Sequence, residues 1–214
     1  MKPIKLFLPI LFFCLIMDIS CKSRNSYRKW AKKNGCHACL SHGTLVRLAN
    51  GKDILIENLK SGDTVLAYNR TKNIFVSSRV LKTFQTEHDG FVKLNFAALF
   101  RNGVSVFPKS AIVISEDHPI WVKEKGWCSL NPEMTKRILM MKEVKKLEVN
   151  DFCYTNRDSS MEGFAGNILL ASIEKIKGSV KAYTIVQLEN KLDCFIAEGI
   201  VVGTEPLSME NGGE

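Results

Sequence analysis

The chain is poor in several features that would fix a class at once. After residue 17 it has no apolar run approaching the length of a membrane span. It has a single C-x-x-C, Cys36-His37-Ala38-Cys39, and no second one to complete a zinc site. No βαβ pattern accompanies that motif, which argues against a thioredoxin-like redox protein. Helical periodicity is almost missing, and only residues 132–146 carry an approximate apolar stripe, Met134, Ile138 and Met141 with the stem of Lys145. Acidic residues are absent between Lys22 and Lys33, where Lys22, Arg24, Arg28, Lys29, Lys32 and Lys33 cluster. The formal charge of +8 therefore belongs largely to a short flank, and no domain-wide nucleic-acid surface is expected.

What is present starts with a leader. Two lysines precede LFLPILFFCLIM at 6–17, a basic n-region and a short apolar core. As a helix this core would reach only ~18 Å, against ~30 Å of hydrocarbon. Residues 1–20 are expected to act as a secretory signal and the mature chain to be secreted. Cys21 is weakly like a lipoprotein cleavage site, a pattern that Asp18 breaks. The expected organisation is signal 1–20, basic flank 21–38, one folded domain 39–205 and a disordered tail 206–214. A monomer is expected, with no nucleic-acid partner, metal or organic cofactor.

Beyond Cys39, strand patterns dominate. Short runs rich in β-branched and aromatic residues fall at 44–48, 53–56, 64–68, 74–81, 91–96, 111–114, 120–122, 182–188, 194–197 and 200–202. Asn50-Gly51 and Arg101-Asn102-Gly103 suit hairpin turns. The fold class is all-β with one short helical insertion. Leu59-Lys60-Ser61-Gly62-Asp63 resembles Leu147-Glu148-Val149-Asn150-Asp151. In both, Gly or Asn suits a left-handed turn position and Asp caps it. Two such copies suggest approximate two-fold symmetry.

Cys39 opens this domain, and the electrophile next to its thiol is the carbonyl of Ala38. Attack there exchanges an amide for a thioester, an N-to-S acyl shift. The step needs a thiolate, a polarised amide and an acid for the leaving nitrogen. The alternatives for Cys39 are a disulfide with Cys36 or a redox role. Ser115-Glu116-Asp117-His118 places a hydroxyl three residues before a histidine in a tight turn. Ser115 would hold the carbonyl or the amide, and His118 would donate to the nitrogen. A plain surface turn before Pro119 is the alternative there.

Together these segments resemble the Hint family of inteins, bacterial intein-like domains and Hedgehog autoprocessing domains. Residues 39–46 are similar to its opening block. Ser115 to His118 sits where the family has T-x-x-H. Leu59 to Val65 is similar to L-x-x-G-D-x-V, and Phe195 to Val202 to F-x-A-x-G-I/L-x-V. The resemblance implies a horseshoe-like β-fold with pseudo-two-fold symmetry, with Cys39 as nucleophile and Ser115 and His118 assisting. The cleaved bond would be Ala38–Cys39, the substrate the chain's own N-terminal peptide, and the acceptor water, a sterol or a thiol. Asp117, Asp193 and Cys194 are candidate assisting groups. A Cys36–Cys39 disulfide would be regulatory. Inteins end the closing block in His-Asn, whereas Val202 is followed here by Gly203-Thr204. Splicing is therefore not expected. The residue that activates sterol in Hedgehog domains falls near Gln85, with Glu87 and Asp89 close by, which weighs against sterol transfer. The rival reading is a non-catalytic binding module of the same fold.

Overall fold

The two L-x-x-G/N-D segments fold into the same turn. In a computed structural model, Gly62 and Asn150 take left-handed φ angles of 101° and 78°, which Gly and Asn tolerate better than other residues. The Asp63 carboxylate accepts the Lys60 N–H at 2.7 Å. Asp151 accepts the Glu148 N–H at 2.9 Å. Each turn then makes the same backbone exchange with a strand further on. Gly62 and Asp63 bond Val80 at 2.8 and 2.8 Å, while Asn150 and Asp151 bond Leu170 at 2.8 and 2.9 Å. Leu59 and Leu147 are both buried beneath their turns. The internal repeat is real at the level of individual hydrogen bonds.

The structure describes residues 37–100, 103–156 and 167–205, all within the compact unit Cys36–Leu207. The expected signal, the flank up to Cys36, the tail and the Arg101-Asn102 part of one turn lie outside the described residues. The first strands are β1 (Leu40–Ser41), β2 (Leu45–Arg47), β3 (Asp53–Leu55), β4 (Thr64–Asn69) and β5 (Ile74–His88). Next come β6 (Phe91–Phe100), β7 (Gly103–Ser115), β8 (Ile120–Val122) and β9 (Gly126–Ser129), then helix α1 (Pro132–Leu139). The last are β10 (Lys145–Lys146), β11 (Phe152–Tyr154), β12 (Asn167–Lys175), β13 (Val180–Leu188), β14 (Cys194–Ala197) and β15 (Ile200–Gly203). The fold is all-β, as expected.

The hairpins β4–β5 and β11–β12 each lend their second, long strand to the opposite half. β5 pairs antiparallel with β13, and β12 pairs antiparallel with β6. The repeats are thereby intertwined, around one core that includes Leu40, Leu94, Phe96, Ile112, Ile114, Ile185 and Phe195. β5 runs past the expected end at residue 81 because its far half is held by pairing more than by apolar content. Gln85 lies opposite Tyr183, and Glu87 opposite Lys181, an opposite-charge pair of the kind that supports a sheet.

The helix is shorter than the 132–146 expected. Asn131 caps it by accepting the Met134 N–H at 3.2 Å, and Pro132 opens it. Met140 turns left-handed at φ 52° and ends it. Lys145 and Lys146 pair instead with Cys128 and Ser129. The helix has a positional role. Buried Thr135 donates to the Asp117 carbonyl at 2.8 Å and bonds the Ser129 hydroxyl at 2.7 Å, anchoring the turn that carries His118.

Candidate active site

β1 is only two residues long, but it lies between two strands. Leu40 pairs with Tyr183 of β13 and with Ile114 of β7. The preceding residue, Cys39, is therefore held between the end of β7 and the middle of β13, with no exposed surface. One neighbour strand supplies Ser115 and the turn to His118. The other supplies Thr184.

The Ala38–Cys39 peptide group is gripped at both ends. The Thr184 hydroxyl donates to the Ala38 carbonyl at 2.8 Å. The Cys39 N–H donates to the Ser115 hydroxyl at 3.2 Å. The Ser115 N–H returns a bond to the Cys39 carbonyl at 3.0 Å. Ala38 itself sits at φ 67°, a left-handed conformation that costs a non-glycine residue of order 1 kcal/mol. Strain and polarisation thus coincide on one bond.

His118 approaches Cys39 from the other side. Its Nδ1 lies 3.2 Å from the Cys39 carbonyl. A carbonyl only accepts, so Nδ1 carries the proton and Nε2 a lone pair. That Nε2 is buried without a partner. Burial pushes the imidazole down to about 4, against the opposing pull of the Cys39 carbonyl, the Asp117 carboxylate and the Gly203 backbone. His118 is therefore neutral at pH 7. His118 is not bonded to the Cys39 nitrogen, which the Ser115 hydroxyl holds.

Asp117 faces the flank. Its carboxylate accepts from His37 Nδ1 at 2.5 Å. Burial raises the Asp117 pKa, but the His37 bond and charge, with the Ser115 hydroxyl, pull it below its usual value. His37 and Ala38 are 9% and 0% exposed, so the folded region takes in the last two residues of the basic flank. Asp193 and Cys194 are engaged elsewhere: Asp193 pairs with Arg70, and the Cys194 thiol donates to the Tyr68 carbonyl at 3.0 Å. Burial pushes that thiol up to about 12. Neither is brought into the Cys39 cluster.

Cys39 itself is disulfide-bonded. Cys128, Cys153 and Cys194 are free, so the bridge partner lies outside the described residues, as does Cys36. A side chain is also excluded where the closing strand ends. A Cβ at Gly203 would come within 2.6 Å of Pro119 Cγ, while the Gly203 N–H bonds the Pro119 carbonyl at 2.9 Å. The turn that carries His118 thus packs on a position where only glycine fits.

Thr184 is a candidate site residue that motif reading misses. In AYTIVQL it reads as an ordinary strand former, and only the register of β13 against β1 aims it at Ala38. His37 carries no signal either, since its role depends on a partner eighty positions away.

Burial of neutral His118 has a consequence for stability. Its folded pKa lies below the ordinary 6.5, so the unfolded chain binds a proton that the folded chain refuses. Stability is complete above about pH 6.5 and is lost as pH falls towards 4. The loss should be about 3 kcal/mol between pH 7 and pH 4, read as a falling urea midpoint. His118→Gln should flatten that interval. Protonation of Asp117 has the same sign but acts at lower pH. A wild-type midpoint constant from pH 7 to 4 would contradict the buried neutral imidazole.

This β-architecture is similar to that of intein and intein-like domains. It is similar to the bacterial intein-like domain from Clostridium thermocellum, with a TM-score of 0.55 and 20% identity over 79% of this chain and 100% of that one. It is likewise similar to a DnaB intein from Synechocystis, with a TM-score of 0.52 and 20% identity over 78% and 97%. At such identity the likeness is one of fold. By sequence, the chain belongs to the family of the Ataxin-1 and HBP1 module (AXH), whose model matches residues 40–158, more than half of the chain. Human and mouse Ataxin-1-like are 27% identical over 112 residues, 52% of this chain and 15% of theirs. Rat Ataxin-1 is 24% identical over 111 residues, 52% of this chain and 13% of its own length. The chain thus corresponds to a small part of those relatives.

Proposed function

We propose that this domain cuts its own backbone at Ala38–Cys39 once Cys39 is reduced. The observation that carries the reading is the Ala38–Cys39 peptide group itself, with Thr184 on its carbonyl, Ser115 on its nitrogen and a left-handed Ala38. The neutral imidazole of His118 takes the thiol proton, and the thiolate attacks the Ala38 carbonyl carbon. Thr184 stabilises the oxyanion that develops. The C–N bond breaks, the Cys39 amine receives the imidazolium's proton by way of the Ser115 hydroxyl that already holds that nitrogen, and a thioester joins Ala38 to the Cys39 sulfur. Water then displaces the sulfur and releases the peptide as a free acid. The fold likeness to inteins supports this reading.

The test is the intact mass of protein treated with a non-nucleophilic phosphine. A new species beginning at Cys39 is the expected result. An unchanged mass sinks the proposal. Thr184→Val should slow the reaction by about 10²–10³-fold, the usual effect of removing one oxyanion donor. A time course of the same mass assay measures it, and a wild-type rate would remove Thr184 from the mechanism.

A second reading is favoured by two observations, the AXH match and the bridged Cys39. On that reading the domain is a binding module in which the bridged Cys39 has a structural task and no nucleophilic one. It predicts one uncut species whether or not the bridge is reduced.

A further inference from the structure

Away from Cys39, the turn after β4, the β8–β9 hairpin and the segment after α1 surround a cavity of about 470 Å³. That volume lies within the range of small-molecule sites. Its walls include Arg70, Trp121, Trp127, Lys142, Lys145 and Asp193. None of these belongs to the cleavage machinery.

The wall is built in a definite way. Trp121 and Trp127 meet edge to face at 5.2 Å between ring centroids. The Arg70 guanidinium lies 5.0 Å from one indole centroid and 5.2 Å from the other, and Asp193 neutralises it. Arginine stacked in this way fixes both rings. The Lys125 ammonium, also in the wall, is held by Glu148 and Asp151 at 2.9 and 2.7 Å. Two lysines remain, Lys142 and Lys145, against one acid, Glu143. Among the residues that line the cavity, four cations face two carboxylates, Glu143 and Asp193, while the two carboxylates that hold Lys125 stand behind the wall. Trp127 is 7% exposed, so its ring is a fixed part of that wall.

We infer that this cavity binds a small organic anion, a single ring bearing a carboxylate, sulfate or phosphate. The ring packs on the indole surface, and the anionic group pairs with the Lys142 and Lys145 ammonium groups. A ligand cation would meet two free lysines. A neutral ring would leave them unmatched.

The experiment titrates the full chain carrying Trp30→Phe, so that fluorescence reports only Trp121 and Trp127. The probes are benzoate, glucuronate, benzamide and benzamidinium. Benzoate should give a saturable change with a Kd of about 1 mM or tighter, weakened by added salt. Saturation by glucuronate as well extends the class to sugar acids, and saturation by one of the two acids alone assigns the ring type. Lys142→Ala with Lys145→Ala should weaken binding about 10-fold or more while leaving the melting temperature in place. The inference is overturned if neither acid saturates, if benzamide or benzamidinium binds as well as the acids, or if the double variant binds as tightly as its parent.

Discussion

Cys39→Ala should remain a single uncut chain under reducing conditions in which the wild type separates at Ala38–Cys39. The expected effect is complete loss, because the other side chains at that bond already have tasks. The Thr184 hydroxyl is spent on the Ala38 carbonyl and the Ser115 hydroxyl on the Cys39 nitrogen. An alanine at 39 leaves the carbonyl polarised with nothing to attack it. The substitution removes one buried sulfur from a small cluster with Phe91 and Ala182. That costs about 1 kcal/mol by the usual scale of trimming buried atoms, too little to unfold a domain of this size. A melting curve alongside the mass assay keeps the two effects apart. Cys39→Ser should show a slow residual N-to-O shift, since an alcohol is a much weaker nucleophile than a thiol of pKa ~8.5. Cleavage of Cys39→Ala at the wild-type rate would end the nucleophile assignment.

Much of this architecture was legible in the residues. The turn pair at Gly62-Asp63 and Asn150-Asp151 announced the symmetry because each turn depends on local chemistry, a left-handed position and a carboxylate cap. The strands around Tyr68, Ile120 and Phe195 were readable because burial on a pleated surface selects β-branched and aromatic residues. The far half of β5 was not, because Gln85 and Glu87 are held by the partner strand across the repeat. The same limit applies to the site. Cys39, Ser115 and His118 stand out through the resemblance of residues 39–46 and 115–118 to the Hint blocks. Thr184 and the His37–Asp117 pair exist only once β1 is threaded between β7 and β13. Spacing also does not reveal that His118 Nδ1 faces the Cys39 carbonyl while Ser115 holds the Cys39 nitrogen. The family match is consistent with a shared scaffold, and it covers residues 40–158 without reaching Cys39.

Oxidised and reduced wild type should differ as sharply as wild type and Cys39→Ala. The Cys39 sulfur is bridged, and a bridged sulfur has no thiolate to attack with. A phosphine attacks the disulfide, releases both thiols and is itself oxidised with water to the phosphine oxide, so it activates the sulfur without supplying a nucleophile for the thioester. Dithiothreitol would confuse the two roles, because it also displaces any thioester. Untreated protein should stay whole, and phosphine-treated protein should be cut. Cys36→Ser should be cut without reductant if Cys36 holds the bridge, and Cys21→Ser if Cys21 does. If secretion occurs as the leader predicts, the bridge would persist in that oxidising compartment, and cleavage would await a reducing signal. Equal cutting with and without phosphine would remove the switch while leaving the nucleophile. Equal absence of cutting, with the disulfide shown by mass to be open, would remove the autoprocessing reading and leave the domain as a binding module.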